Sequence, residues 1–202
     1  MSQPKPIKKF RPGQFFLFGF CLIAIILFLD QYTKWLVLET MLRSDGDVPA
    51  FADWFITRQP LEFFIDQREV YTARELTSFL NFVMVWNTGI SFGMFSETSE
   101  EGSRGLSLIL IALSLIVSLV LMVWLALARG RLLAWGLSMI VGGALANVVD
   151  RIRFGAVADF VDVHVAGYHW PAFNLADSCI AIGALFLVID TMINKDRTSF
   201  LT

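Results

Sequence analysis

Four long apolar runs constrain this chain more than any other feature of its sequence. An α-helix needs about 20 apolar residues to cross the roughly 30 Å hydrocarbon core of a bilayer. Soluble domains have about 25% charged residues, whereas this chain of 202 residues has 17%, with 56% hydrophobic. The sequence therefore predicts an all-α membrane protein that crosses a phospholipid bilayer with four transmembrane helices. It excludes a soluble enzyme, a disordered tail and a nucleic-acid-binding protein. The predicted spans lie at residues 15–38, 106–128, 132–149 and 175–193.

A fifth apolar stretch, residues 79–95, has the β-branched, aromatic and glycine content that is typical of a strand. The distribution of positive charge supports four spans rather than five. With four, one side of the membrane carries 8 Lys or Arg in 26 positions and the other carries 7 in 92. Because Lys and Arg concentrate in cytoplasmic loops, both termini are predicted to be cytoplasmic.

The first run follows several basic residues, as the apolar region of a secretory signal peptide does. No small-residue cleavage site follows it, because the run ends in DQYTK, so we interpret it as the first span. Cys21 lies in this run and Cys179 in the last one. We interpret both cysteines as small core residues that form no disulfide.

The segment between the first two spans, residues 39–105, is too long for a simple turn. It holds eleven acidic and five basic residues, with short strand-like stretches and two prolines. We expect a small β element there, as a sheet or a lid at the outer surface. With the four spans it completes a single polytopic membrane domain over residues 1–202.

Ionisable side chains inside a spanning helix cost about 2.5–3.5 kcal/mol each at the helix centre, so each needs an explanation. Asp30 and Lys34 are four residues apart on the first span and share one helix face. They can neutralise each other there. This spacing is equally compatible with a structural ion pair and with a functional role.

A larger polar group surrounds the junction of the third and fourth spans. The segments GGALANVVDR, GAVADFVDV and HWPAFNLAD follow one another there, and we interpret the middle one as a loop. Four carboxylates beside one guanidinium suggest either catalysis or a path for cations. The predicted group, all at one membrane depth, consists of Asn147, Asp150, Arg151, Asp159, Asp162, Asn174 and Asp177.

Paired carboxylates offer one way to cleave an amide at this junction. Two that are held close cannot both ionise cheaply, so one keeps its proton while the other acts as a base toward a water molecule. The residues alone do not select the pair from the four. The sequence has no Ser–His arrangement or HExxH motif in a workable context. His164 and His169 lie nearby, but their spacing matches no known metal site, so we expect neither a metal nor a cofactor.

Five motifs in order connect the chain to a known family. DQYTK, NTGISFG, GGALANVVDR, GAVADF and WPAFNLADS lie between residues 30 and 190. In these motifs the chain resembles the bacterial lipoprotein signal peptidases, the type II signal peptidases. The resemblance implies an aspartic endopeptidase that cuts a prolipoprotein just before a cysteine that carries a diacylglyceryl group. It also implies an outer-side β-cradle, a small helix over the active site, and a monomer in the bacterial plasma (inner) membrane with its active site near the outer face.

Matching by motif implies roles for single residues. The catalytic pair corresponds to Asp159 of GAVADF and Asp177 of FNLAD. Asp150 matches a supporting position, and its neighbour Arg151 is expected to keep it ionised. Residues 43–80 are longer than is usual for the family, so the cradle or lid is expected to be enlarged. The remaining positions that match binding or site-shaping residues are Asp30, Lys34, Asn87, Asn147, Arg151 and Asn174.

Two other classes of membrane protein fit the composition. A transporter or proton channel would use the carboxylates as a relay. Such a relay should continue toward the cytoplasm, but the inner halves of the second and third spans contain no ionisable residue. A non-catalytic assembly subunit has only the apolar composition in its favour.

Overall fold

Four long helices form the membrane-spanning part of the protein. The structure is a computed structural model that describes the backbone of residues 13–57, 59–66, 68–89 and 100–198. In this part of the chain four helices are long and apolar enough to cross a bilayer, which confirms the predicted number of spans. In chain order the helices are α1 (Phe16–Trp35, continued by a π-helix at Leu36–Leu42), the short α2 (Phe51–Ile56) and α3 (Leu61–Asp66), then α4 (Glu100–Leu127), α5 (Arg131–Phe154) and α6 (Leu175–Thr198).

All four spanning helices extend several residues past their predicted boundaries. The predictions stopped at charged residues, but a helix can continue beyond the bilayer while its backbone hydrogen bonds are satisfied. Thus α5 passes its predicted end at residue 149 and stops at Gly155. This glycine has φ 85°, a left-handed conformation that favours glycine, and its N–H donates to the carbonyl of Arg151.

Small residues bring α5 into close contact with its neighbours. This helix packs against α1, α4 and α6. A Cβ atom on Gly136 would lie 2.8 Å from the backbone oxygen of Gly183 in α6. On Gly143 it would collide with the backbone oxygen of Ala176. These approaches show why small residues are needed on this face of α5, since they let the helix backbones come close together.

A four-stranded antiparallel sheet covers one end of the helical bundle, which we call the sheet end. It confirms the predicted small β element and, for residues 80–87, the strand interpretation of the stretch 79–95. Residues 90–99, including the end of the NTGISFG motif, lie outside the described residues. The order along the sheet is β1-β2-β3-β4. The strands are β1 (Arg74–Thr77), β2 (Leu80–Asn87), β3 (Val157–Val165) and β4 (Tyr168–His169).

The interpretation of GAVADFVDV as a loop is wrong, because most of it forms β3. A half-buried strand is recognised by its alternation of apolar and polar residues. This segment is mostly apolar, so it does not show that alternation. The first four residues of the strand, residues 157–160, are buried, and the fifth is half-buried. A strand buried on both faces reads as continuously apolar rather than alternating.

The long segment between α1 and β1 docks onto the sheet end. Glu39, fully buried in the π-helix, accepts hydrogen bonds from Trp54 Nε1 at 3.0 Å and from Arg43 Nη1 at 2.9 Å. The Tyr71 hydroxyl lies 3.3 Å from the same carboxylate. The Glu39 carboxylate thus binds three residues of the segment, Arg43, Trp54 and Tyr71. A buried apolar cluster surrounds these contacts: Val37, Leu38, Leu42, Trp54, Phe64, Tyr71, Phe154, Ala158 and Phe160.

The two cysteines differ from each other in burial. Cys179 is buried, as predicted, and both thiols are free. Cys21 is exposed on α1, so its interpretation as a core residue is wrong. An apolar run does not distinguish the face of a spanning helix that packs on protein from the face that meets lipid, because both are apolar.

Replacement of Gly143 by alanine tests the close approach of α5 to α6. The added methyl group meets the Ala176 backbone and should separate the helices. Overpacking of this kind costs about 1–3 kcal/mol. We therefore expect the Tm in detergent to fall by roughly 2–10 °C. Gly105→Ala, at an exposed helical site with nothing within 4 Å of the new methyl group, is the matched control and should not lower the Tm. Equal Tm values for the two variants would contradict this packing.

Candidate active site

Asp177 is held in the first turn of α6 by a reciprocal pair of hydrogen bonds. Asn174 lies just before the helix, and its Oδ1 accepts the N–H of Asp177 at 2.9 Å. In return Asp177 Oδ2 accepts the N–H of Asn174 at 3.2 Å. This is a capping box, in which two side chains three residues apart satisfy free N–H groups at a helix start. The position of Asp177 is therefore encoded locally by the sequence NLAD.

Asp159 reaches the same place from the sheet. It lies on β3 and is only 3% exposed. Its Oδ1 accepts a hydrogen bond from Asn174 Nδ2 at 2.7 Å, and its Oδ2 one from Asn87 Nδ2 at 3.3 Å. Asn87 lies on β2, where it is paired with Val157, so its contact with Asp159 is a diagonal cross-strand contact.

Two asparagines connect the two aspartates. Asn174 contacts both of them, Asp159 through its amide and Asp177 through the capping box. Asn147, on α5, donates from Nδ2 to Asp177 Oδ1 at 2.8 Å, and its Oδ1 lies 3.4 Å from Asn174 Nδ2. The structure thus brings Asp159, Asp177, Asn147, Asn174 and Asn87 together, as the sequence predicts.

Asp162 does not belong to this group, although the sequence places it at the same depth. It lies three residues after Asp159 on β3, and side chains of a strand alternate between faces. Its carboxylate contacts Asn81 Nδ2 at 3.0 Å and His169 Nδ1 at 2.8 Å. The ring of His164 stacks on His169, with centroids 4.9 Å apart. Among the described residues no three His, Cys, Asp or Glu side chains form a set of metal ligands.

The environment of Asp159 favours its protonated form. Burial raises the pKa of Asp159, and the nearby charge of Asp177 raises this pKa further, to about 7. The hydrogen bond from Asn87 acts in the opposite direction but is outweighed. At neutral pH, Asp159 therefore exists both with and without its proton. A carboxyl group in this state can act as a general acid.

A buried ion cluster lies beneath the two aspartates. Lys34 Nζ is 2.6 Å from Asp30 Oδ2 and 2.6 Å from Asp150 Oδ2, and none of these three side chains is exposed. The predicted pairing of Asp30 with Lys34 is therefore present, with Asp150 of α5 as a second partner. One cation between two carboxylates leaves a net negative charge, which further hydrogen-bond donors must compensate.

Each carboxylate of this cluster also holds a backbone amide next to one of the two aspartates. Asp150 Oδ2 accepts the N–H of Ala158 at 3.0 Å, and Ala158 precedes Asp159. Asp30 Oδ1 accepts the N–H of Ala176 at 3.0 Å, and Ala176 precedes Asp177. The ion cluster thus anchors both aspartates through the main chain.

Arg151 is near Asp150 but does not form a direct ion pair with it. The cation in contact with Asp150 is Lys34, because adjacent residues of a helix do not face each other. Arg151 Nη1 lies 3.5 Å from the carbonyl of Asn147, and its buried Nε has no hydrogen-bond partner among the described residues. Asp150, Asp159 and Asp177 are all close enough for their charges to act on this guanidinium.

Two polar residues of this region are missing from the sequence-based prediction. Gln31 Nε2 donates to Asp150 Oδ1 at 2.7 Å. Arg153 Nη1 donates to Gln31 Oε1 at 2.7 Å. Asp30 and Lys34 are candidates because burying a polar group in a spanning helix is costly. The same argument applies to Gln31 within DQYTK, so the sequence does contain a signal for it. No comparable signal marks Arg153, since it follows the span as an ordinary boundary residue would.

The fold is that of a polytopic membrane protein. Its candidate site holds two carboxyl groups, both hydrogen-bonded to Asn174, where the helices meet a small sheet. The family model for signal peptidase (SPase) II matches residues 22–193, and this chain belongs to that family. It is therefore a multi-pass bacterial membrane peptidase, and not the transporter or assembly subunit that its composition also allows.

Individual relatives agree with this assignment. A lipoprotein signal peptidase of Methylobacterium sp. (strain 4-46) is 35% identical over 181 residues, which cover 90% of this chain and 92% of that protein. Another, from Methylobacterium radiotolerans, is 45% identical over 127 residues, covering 61% of this chain and 72% of that protein. A solved structure described as a bacterial membrane enzyme has a TM-score of 0.63 at 21% identity, over 93% of this chain and 94% of that one. This last comparison confirms the fold.

Removal of the central cation tests how far the ion cluster stabilises the fold. Lys34→Met leaves Asp30 and Asp150 buried side by side without their cation. Breaking a buried ion pair in this way costs about 3–5 kcal/mol. We therefore expect a Tm in detergent at least roughly 6 °C below the parent. Adding Asp30→Asn to this variant removes one uncompensated charge and should restore part of the loss. An unchanged Tm for Lys34→Met would contradict the described cluster.

The raised pKa of Asp159 predicts how stability depends on pH. In the unfolded chain the carboxyl group loses its proton near pH 4, whereas in the folded protein it does so near pH 7. Between these two pH values the folded protein therefore keeps a proton that the unfolded chain has lost. This proton stabilises the folded state, and the stabilisation is lost as the pH rises to about 7. Asp159→Asn should show a smaller fall in Tm between pH 5 and pH 8 than the parent. Asp162→Asn is the control and should keep the fall; equal profiles for parent and Asp159→Asn would disprove the assignment.

Proposed function

We propose that this protein is an aspartic endopeptidase that removes the signal peptide from diacylglyceryl-modified prolipoproteins, cutting just before the lipidated cysteine. Family membership and the lipoprotein signal peptidases among its relatives support prolipoproteins as the substrate class. One observation carries the aspartic mechanism: Asn174 is hydrogen-bonded to both Asp159 and Asp177. Two carboxyl groups joined in this way can activate a water molecule between them without a covalent intermediate.

Asp177 is the proposed general base. It is half-buried, so water can reach it, while Asp159 is almost fully covered. Both of its carboxylate oxygens accept hydrogen bonds, from Asn147 Nδ2 and from the Asn174 N–H. These donors hold the carboxylate in a single orientation. A fixed orientation is what a group needs to take a proton from a bound water.

Asp159 is the proposed general acid. Its pKa of about 7 keeps a proton available at neutral pH. Asn174 holds Oδ1 at 2.7 Å, whereas the contact from Asn87 to Oδ2 is longer, at 3.3 Å. We assign the proton to Oδ2, from which it can be donated to the oxygen of the scissile carbonyl.

The reaction then proceeds in two steps. As the water oxygen bonds to the carbonyl carbon, Asp177 receives one water proton and Asp159 donates its proton to the carbonyl oxygen. The tetrahedral intermediate next breaks its C–N bond: one of its hydroxyl groups returns a proton to Asp159 as the C=O bond re-forms, and Asp177 gives its proton to the departing amine of the lipidated cysteine. The products are a free carboxylic acid on the signal peptide and a free amine on the mature lipoprotein.

The other matched residues have supporting roles in this proposal. Arg151, with an unsatisfied Nε near both aspartates, and Asn87 are proposed substrate contacts. Asn147 and Asn174 position the carboxyl groups. The residues that hold the neighbouring backbone are Asp30, Lys34 and Asp150.

The location of the site fits a lipid-bearing substrate. It lies at the ends of α5 and α6, where water can meet the aspartates while acyl chains remain in the bilayer. We propose that the sheet end faces the outer side of the inner membrane and that both termini are cytoplasmic, because the opposite loop and the termini carry the higher density of Lys and Arg. We also propose a monomeric enzyme, because every residue that this mechanism uses is supplied by a single chain.

Asparagine variants of the two aspartates test the mechanism. The purified protein in detergent is incubated with a diacylglyceryl-modified prolipoprotein peptide, and cleavage is followed by mass spectrometry. Asp159→Asn and Asp177→Asn should each lower kcat by at least about 1000-fold, because each removes a proton donor or acceptor at the reacting atoms. Both should remain folded. Cleavage by either variant at more than a tenth of the parent rate would refute the assigned roles.

Asp162→Asn is the matched control, since it changes another carboxylate of the same strand that faces away from the site. We expect it to cleave at the parent rate. The same peptide without its diacylglyceryl group tests the substrate class. Equal cleavage of the lipidated and unlipidated peptides would leave the aspartic mechanism intact and refute the proposed lipid dependence.

A further inference from the structure

Arg153 is a buried cation without a carboxylate in direct contact among the described residues. It is 9% exposed, and its guanidinium carbon lies 4.1 Å from the centre of the Trp54 ring and 4.5 Å from that of Phe154. Two neutral oxygens accept its hydrogen bonds: Gln31 Oε1 at 2.7 Å and the Trp54 carbonyl at 2.6 Å. Burying a charge is costly, and an apolar side chain of similar size would fill this space more cheaply. The arginine therefore needs a further explanation.

Gln31 connects this arginine to the ion cluster. Its amide oxygen accepts a hydrogen bond from Arg153, and its amide nitrogen donates to Asp150 Oδ1 at 2.7 Å and, over a longer distance, to Asp30 Oδ2 at 3.2 Å. Only a side chain with both an acceptor and a donor can bind the arginine and a carboxylate at the same time. The other oxygen of Asp150 accepts the Ala158 N–H. Lys34 Nζ lies 2.6 Å from that same oxygen, so Gln31 holds Oδ1 of a carboxylate whose Oδ2 is shared by Lys34 and the residue before Asp159.

We propose that Gln31 and Arg153 are positioning residues that orient the Asp150 carboxylate and, through the Ala158 amide, set the place of Asp159 in the active site. The chain of contacts begins at the Trp54 carbonyl in α2, within the long segment after α1. That segment is therefore coupled to the site and is more than a cover for the sheet end. This inference rests on the proposed function only in taking Asp159 as a catalytic residue.

A small displacement of the Asp159 carboxyl group should have a large effect on the rate of cleavage. A displacement of about 1 Å at a reacting group can lower the rate about 100-fold. Substrate binding should be almost unaffected, because neither Gln31 nor Arg153 contacts the proposed substrate-binding residues. A positioning role therefore predicts a fall in kcat with little change in KM. Loss of stability alone would lower the amount of active enzyme without changing the pH dependence of kcat for the folded fraction.

Three variants test the proposal in the full-length protein with the lipidated peptide. Gln31→Leu removes the hydrogen bonds to Arg153, Asp150 and Asp30 and puts an apolar side chain of similar size in their place. Arg153→Lys keeps the buried charge but cannot hold the Gln31 oxygen and the Trp54 carbonyl with one planar fork. Each should lower kcat by about 10-fold or more, keep KM within about twofold, and shift the pH dependence of kcat. The Gln31→Leu/Arg153→Lys double variant should be no worse than the poorer single variant, since the two residues act in series.

Tyr71→Phe is the matched control. It removes a hydrogen bond that docks the same segment through Glu39, but Tyr71 does not contact Gln31, Arg153 or Asp150. We expect parent kcat for this variant. Thermal unfolding of every variant reports the folded fraction, and rates are expressed per folded enzyme. If Gln31→Leu lowers the Tm too far for assay, Arg153→Lys alone decides.

The inference is overturned if the assayed single variants keep kcat within twofold of the parent, if they raise KM instead, or if the double variant shows the product of the two losses. Asp159→Asn is measured alongside them to separate this inference from the proposed function. Cleavage by Asp159→Asn would overturn the assignment of the catalytic residue itself. An inactive Asp159→Asn with fully active Arg153→Lys and Gln31→Leu would overturn only the positioning role.

Discussion

A single buried lysine organises the part of the protein on which the rest depends. Lys34 lies between the carboxylates of Asp30 and Asp150, in a region without exposure to water. Charges in such a place are stable only when every partner is present and well oriented. The cluster ties α1 to α5 and, through the amides of Ala158 and Ala176, to the first residues of the site. Because an unpaired buried charge is costly, these groups are held in one arrangement, and that arrangement fixes the geometry of the site.

The site combines two kinds of local order. Asp177 is placed by the capping box of its own helix, which four consecutive residues define. Asp159 is placed by a strand that pairs with β2 across a long stretch of sequence. Asn174 is hydrogen-bonded to both, so a locally encoded group and one positioned by the fold meet at a single residue. Glycines in α5 allow α6 to approach closely enough for this meeting.

Much of the fold was predictable because the bilayer is a simple solvent. Every span must be long, apolar and helical, so four runs of residues predict four helices. Helix ends were predicted less well, as in α5, because charged residues mark the limit of the membrane and not the limit of the helix. The strand containing Asp159 cannot be recognised from the sequence, because burial on both faces conceals its alternation. The exposure of Cys21 is equally hidden, because lipid-facing and protein-facing residues are both apolar.

The sequence by itself determined the membrane class, the number of spans, the candidate aspartates and the capping signal that precedes Asp177. These features depend on local composition and on short motifs, which are read without knowledge of the fold. Only the tertiary structure decided that Lys34 also pairs with Asp150, that Asp162 faces away from the site, and that Arg153 reaches the ion cluster through Gln31. Hydrogen bonds and ion pairs act over about 3 Å, and which groups come that close depends on how distant segments pack together.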